Sequence, residues 1–174
     1  VTASPDPLVD PRHGRFTLVP ASYVFLLRGP APAAPGGPPA AGTQVLLQLR
    51  RGTGYMDEHW AAAAAGHVER GETAFDAARR EAAEEIDVLD LDLRLELVLH
   101  RTRGDLPVDE RVDFIFTARS WTGEPRVVEP EKCAELRWVP LDALDTLPGP
   151  VVPHEREALA RLGGAEHYVP LGFA

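Results

Sequence analysis

The sequence predicts an α/β fold, a sandwich with helices on both sides of a mixed central sheet. Three observations point there. Short runs rich in Val, Ile, Leu, Phe and Tyr recur along the chain, and turn residues separate them. One central segment, 72–86, combines helical periodicity with a capping signal. A second helical segment, 153–164, begins on Pro and ends on Gly. The 174 residues, 44% apolar and 26% charged, suit one domain with a full hydrophobic core.

Residues 1–15 read as a loose, proline-containing lead-in, and 16–174 as the single domain. "RFTLVPASYVFLLR", 15–28, reads as a strand. "GPAPAAPGGPPAAG", 29–42, has nothing to bury and suits a flexible loop, a tip that many chains could lose. "TQVLLQLR", 43–50, completes a hairpin. "WAAAAAGHVERG", 60–71, mixes its signals. Five alanines favour helix by propensity, but Gly66 and Gly71 follow closely, so a strand or an extended entry into a loop is expected. "ETAFDAARREAAEEI", 72–86, is a helix capped by Thr73 with Asp76 as the capping-box acid. Phe75, Ala78, Ala82 and Ile86 fall on one stripe, its core face. Strands follow at 91–101, 111–121 and 134–141, then a short helical turn at 141–144. The terminal helix, 153–164, leads to a tail.

The net charge of −9 and the lack of a basic stripe argue against nucleic acid as a partner. A small nucleotide is not excluded, because it can reach a carboxylate site together with a divalent cation. The only cysteine, Cys133, can form no internal disulfide and no thiolate metal site. No run approaches the 18 or so apolar residues of a membrane span. The first residues lack the basic start and apolar stretch of a signal peptide, so a cytoplasmic location is expected.

Chemistry concentrates on the central helix. At 3.6 residues per turn, Glu81, Glu84 and Glu85 share an arc of roughly 100° beside the core stripe. Arg80 points elsewhere, towards the approach to the helix. Between 69 and 85 stand six acids, Glu69, Glu72, Asp76, Glu81, Glu84 and Glu85, against three arginines. Such a face is either simply solvated or a site for a hard cation that takes oxygen ligands. Spacing alone leaves both readings open.

The longer pattern "GHVERGETAFDAARREAAEEIDV", 66–88, resembles the Nudix box. Gly66, Glu72, Arg80, Glu81, Glu84, Glu85 and the aliphatic Val88 stand in register. Two positions depart: Ala82 is a small occupant of an aliphatic place, and Asp87 stands where the family has Gly. Asp can adopt the left-handed conformation that ends such a helix. The order of elements from about 15 to 162 also resembles this family, which implies a Nudix-type α/β/α sandwich.

The resemblance implies that Glu81, Glu84 and Glu85 carry Mg²⁺ or Mn²⁺, with the Gly66 carbonyl and Glu69 assisting. Glu72 would pair with Arg80 and brace the loop on the helix. The reaction implied is hydrolysis of a phosphoanhydride in a nucleoside diphosphate linked to a group X. The leading substrate is a nucleoside triphosphate, modified or not, giving monophosphate and pyrophosphate. The alternatives are ADP-ribose or a nucleotide sugar and, in another class, a silent nucleotide-binding sensor. Glu84 is the first choice of general base. Glu131 is the second, since "EPEKC", 129–133, looks like a loop of the MutT-like enzymes. Homodimers are common in the family, so a homodimer is one expectation.

Other candidates rest on position alone. Tyr55 and His59, shortly before the box, would stack on a base or X group, whereas Trp60 reads as a sheet anchor. Arg51 and Arg111, like Arg50, Arg101 and Arg103, stand at strand ends or in loops where phosphates could be met. Each of them reads equally as a surface charge.

Overall fold

The computed structural model describes residues 9–10, 15–104 and 109–173. Most of the expected lead-in lies outside the described residues. A two-stranded ladder pairs β1 (Val9–Asp10) with β2 (Arg15–Phe16). The main sheet is built on β3 (Val19–Arg28) and β4 (Gln44–Arg50). These two pair only at Leu27–Val45 and Arg28–Gln44, then diverge. β3 continues with β8 (Arg111–Ala118) in parallel on one side. Beyond it lie β7 (Leu93–Arg101), antiparallel, and β10 (Tyr168–Leu171), parallel to β7. β4 pairs with β9 (Cys133–Pro140), antiparallel. The sheet is therefore mixed, as expected.

The alanine run bridges the divergence. β5 (Trp60–Ala62) pairs with β4, and β6 (Ala64–His67) pairs with β3. Ala61 through Ala64 are at most 1% exposed. Side chains this small let a strand run between two covered layers, so burial overrides the helix propensity of alanine.

Helix α1 (Ala74–Ile86) covers one face and α2 (Pro153–Leu159) the other. Alternation along β3 sorts its side chains between them. Val24 and Leu26 join Ala78, Ala82 and Ile86 of α1. Tyr23, Phe25 and Leu27 join Ala158 and Leu159 of α2. The Thr73–Asp76 capping box forms as the sequence indicates. Ser22 Oγ then donates to the Ala74 carbonyl at 2.7 Å and ties the start of α1 to the sheet.

Several expectations need correction. Phe75 is 38% exposed and leans on Phe116, with ring centroids 4.7 Å apart, while Ala77 takes its place in the buried stripe. The strand expected from residue 15 starts at Val19, and the one expected to reach 121 ends at Ala118. α2 stops at Leu159, a turn short of its glycines. The expected tail contains β10, whose pairing with a strand some seventy residues away leaves no local signal. The proline-rich loop has no regular structure but is tied down. Arg119 Nη1 donates to the Pro30 carbonyl at 3.1 Å, and Arg94 Nη2 to the Gly36 carbonyl at 2.9 Å.

Candidate active site

One guanidinium organises the acidic face of α1. Arg80 meets Glu72 through two bonds, Nη2 to Oε1 at 2.7 Å and Nε to Oε2 at 3.2 Å. Its Nη1 reaches Glu81 at 2.6 Å and Glu84 at 3.2 Å. Nη2 also donates to the His67 carbonyl at 3.1 Å. Arg80 thus points to the approach of the helix and meets Glu72 as expected, and it also reaches two helix carboxylates, so it fastens the loop, the end of β6 and α1 to each other. Glu72, bonded first to Arg80 and also to the Glu69 N–H, is held below the usual carboxylate range. The same partners hold the Arg80 guanidinium firmly charged.

Glu81 and Glu85 behave differently. Burial pushes Glu81 up, against the pull of Arg80. Glu85 is pushed up to about 7, chiefly by burial, with Glu81 and Glu129 adding repulsion. One Glu85 oxygen accepts the Ala65 N–H at 2.9 Å, which opposes the shift. Gly66 lies against this pair. A Cβ added there would sit 1.9 Å from Glu81 Oε1 and 2.1 Å from its Cδ. The glycine is needed for space, because the Glu81 carboxylate fills the place of a side chain. α1 ends on Asp87 at φ 57°, the left-handed conformation expected of it.

A cavity of about 400 Å³ opens beside Gly66 on the α2 side of the sheet. Arg50, Arg101, Arg111, Tyr55 and Glu155 are among its lining residues. Arg101 and Arg111 both donate to Asp113, which is 0% exposed. Arg111 Nη1 also reaches His67 Nε2 at 3.3 Å. Burial and the Arg111 charge hold His67 below its usual range. Arg50 donates to the Tyr55 carbonyl and to Thr53 Oγ1, both at 3.0 Å. Asp57 accepts the N–H groups of Thr53 and Gly54 at 3.0 and 3.1 Å and fixes the loop that carries Tyr55. Glu155 accepts the Ala62 N–H and, fully enclosed, is pushed up to about 7 by burial.

Of the sequence candidates, the structure brings Arg50, Tyr55, Gly66, Arg101 and Arg111 to this cavity. Glu81, Glu84 and Glu85 lie along α1 beside Gly66, and Glu84 is largely exposed. Glu69, Arg51, His59 and Glu131 are not among its lining residues. Glu69 stays in the exposed loop before α1, and its N–H bonds Glu72. Arg51 turns to the Pro130 carbonyl, and His59 Nδ1 lies 3.0 Å from the Asp57 carbonyl. Glu131 is exposed in the turn before β9, where its neighbour Glu129 pairs with Lys132 at 2.8 Å. Trp60 is fully buried.

Sequence reasoning missed Glu155 and its neighbour His154, both buried on α2. A signal existed. Ala158, Leu159 and Leu162 set the buried stripe of this segment, and stepping back one turn reaches His154 and Glu155.

The donor set fits a hard divalent ion. It consists of carboxylate oxygens, two of them on groups whose charge burial disfavours and a cation would favour. Among the described residues, no three His, Cys, Asp or Glu side chains converge as a ready-made metal centre.

The model of the NUDIX domain family matches residues 36–162. Among solved structures, the chain is similar to a MutT NUDIX hydrolase from Burkholderia pseudomallei, at 25% identity and a TM-score of 0.67. That match covers 83% of this chain and 97% of the other. A NUDIX hydrolase from Nitrosomonas europaea matches at 18% identity and TM-score 0.61, over 94% and 85% of the two chains. The NUDIX domain of Shewanella oneidensis NrtR, complexed with ADP ribose, matches at 16% identity and TM-score 0.63, over 87% and 90%. No curated protein matches the sequence. No helix among the described residues is long and apolar enough to cross a membrane.

Proposed function

Because the chain belongs to the Nudix family and is a hydrolase of nucleoside diphosphate derivatives, we propose that it cleaves a nucleoside triphosphate to monophosphate and pyrophosphate. One observation carries this reading. Gly66 lines the arginine-rich cavity and at the same time walls the Glu81 carboxylate. Phosphates drawn to Arg50 and Arg111 would lie next to the acidic helix.

Glu81, Glu84 and Glu85 would hold Mg²⁺ or Mn²⁺, with the Gly66 carbonyl and Glu69 in support. Such an ion, when bound, supplies charge neutralisation on the diphosphate and a water of lowered pKa. Glu84 is the proposed base. It is 59% exposed on its side chain, within reach of a solvent water, and Arg80 steadies it. As the water oxygen bonds phosphorus, Glu84 takes the proton and the bridging oxygen leaves with the electron pair of the broken bond. Glu131 is second choice, because it stands exposed and away from the cavity. Tyr55 offers a ring for stacking at the cavity mouth. Arg80 positions carboxylates and touches no substrate in this scheme. ADP-ribose or a nucleotide sugar remains the competing substrate class, and a silent sensor the competing function.

The test is a panel of dNTPs, oxidised dGTP, ADP-ribose, nucleotide sugars and capped RNA with Mg²⁺, with products separated. Pyrophosphate released from triphosphates supports the proposal. Turnover confined to ADP-ribose or nucleotide sugars selects the alternative. Tight nucleotide binding with no turnover selects the sensor.

A further inference from the structure

A second cavity, of about 470 Å³, adjoins the first at Arg101, which lines both. Neighbouring residues alternate between them. Tyr55, Val152 and Glu155 face the first, and Met56, Pro153 and His154 the second. The two cavities share the Arg101 wall, and each is of a size that takes a small molecule.

His154 is the feature that needs explanation. It is 9% exposed, and its Nε2 is buried with no hydrogen-bond partner. A buried polar atom left unpaired is costly, because it has lost its bond to water and gained no other. The ring stands edge-on to Tyr23, with centroids 5.8 Å apart. Burial and four arginines, led by Arg101, keep it neutral. His100 Nε2 is likewise unpaired, but that ring sits among Tyr168 and Phe173 and lines neither of these cavities. Arg103, exposed on the wall of the second cavity, has no ion-pair partner among the described residues. Glu157, the one carboxylate on that wall among the described residues, is already paired with Arg161.

We propose that the second cavity is a subsite for a terminal oxyanion, a phosphate or carboxylate at the far end of a small molecule, with His154 Nε2–H and Arg103 as its donors. An anion satisfies the unpaired nitrogen and a guanidinium that has no ion-pair partner among the described residues, where a neutral group would leave the charge unmatched. The placement rests on the hydrolase reading only in that the same molecule would reach past Arg101 to the diphosphate site.

Two variants test this. His154→Phe keeps a ring edge against Tyr23 and removes both nitrogens, and Arg103→Gln changes an exposed side chain that cannot unfold the core. Arg156→Gln, paired with Asp145 on the outer side of α2, removes the same charge elsewhere. Calorimetric titration with inorganic pyrophosphate in EDTA reads the subsite without metal, and so without turnover. Binding by the wild type and by Arg156→Gln, weakened about tenfold or more in each of the two cavity variants, is the expected result. Titration with UDP-glucose and UDP-glucuronate, which differ by a carboxylate, then separates the sources. Tighter binding of the glucuronate, lost in the cavity variants, places the oxyanion on the substrate's X group. Pyrophosphate binding without that preference makes the site a trap for the free anion. Equal affinities in the wild type, His154→Phe and Arg103→Gln would overturn the proposal, whatever the hydrolase panel yields.

Discussion

Replacing Gly66 by alanine separates the fold from the site. The new Cβ would fall 2.1 Å from Glu81 Cδ and 1.9 Å from Oε1. Carbon atoms rest about 3.5–4.0 Å apart, so the carboxylate must retreat by about 1.5 Å. It can do so, because it is the free end of a flexible side chain, at the loss of its bond to Arg80. Overpacking of this kind costs about 1–3 kcal/mol, and the yielding carboxylate puts Gly66→Ala near 1 kcal/mol. For a chain of this size that lowers the melting temperature by about 2–4 °C. Catalysis should suffer far more, because a 1 Å misplacement can cost about a hundredfold. Steady-state kcat/KM with Mg²⁺, measured beside a thermal melt, reads both. Adding Glu81→Ala removes the clash, so the double variant should melt above Gly66→Ala while staying inactive. Wild-type turnover by Gly66→Ala would refute the reasoning. So would a melt more than about 10 °C lower, since that would show the glycine serving the backbone instead.

Three further outcomes are expected. Glu155 prefers its neutral form when folded, so its contribution is complete below the ordinary value of 4.5 and is lost as pH rises through about 7. Glu155→Gln keeps an oxygen for the Ala62 N–H, so its denaturant stability should fall less than the wild type's between pH 5 and 8, by on the order of 3 kcal/mol; parallel curves would argue against it. Asp113→Asn strips the buried Arg101 of its counter-charge and should cost about 3–5 kcal/mol in urea melts, where a loss under 1 kcal/mol would contradict a buried pair. Mg²⁺ with nucleotide at about a hundred times Kd should stabilise the wild type by about 2.7 kcal/mol and Glu85→Gln much less, and an unshifted wild-type melt would count against the metal assignment.

How much of this was legible beforehand varied with the range of the forces involved. α1 could be read because its cap, its period and its spacing of acids are all local. The register of Gly66, Glu72, Arg80, Glu81, Glu84 and Glu85 was legible for the same reason. Ala61–Ala64 could be read as strand or extended entry only from the glycines that follow, since the alanines themselves favour helix and burial between two helix layers is what makes them strand. Phe75 followed the helical period but sits at the edge of the covered area, where Phe116 shelters only part of it. The cavity escaped because it joins β3, the 52–59 loop, β7 and α2, and no single stretch of sequence carries that assembly.

The tract at 29–42 has a consequence for chain engineering. Gly163, at φ 69°, packs so closely on it that a Cβ there would come 2.2 Å from the Gly37 carbonyl oxygen. The side-chain hydrogen bonds to the tract, from Thr43, Arg94 and Arg119, go to the main-chain oxygens of Pro30 and Gly36, and Gly163 meets main-chain atoms of Gly37 and Pro38. Its letters are thus freer to drift than its length. Reshuffling prolines and alanines should be nearly silent, whereas trimming the tract to a tight turn would remove the Gly37 backbone on which the segment after α2 packs.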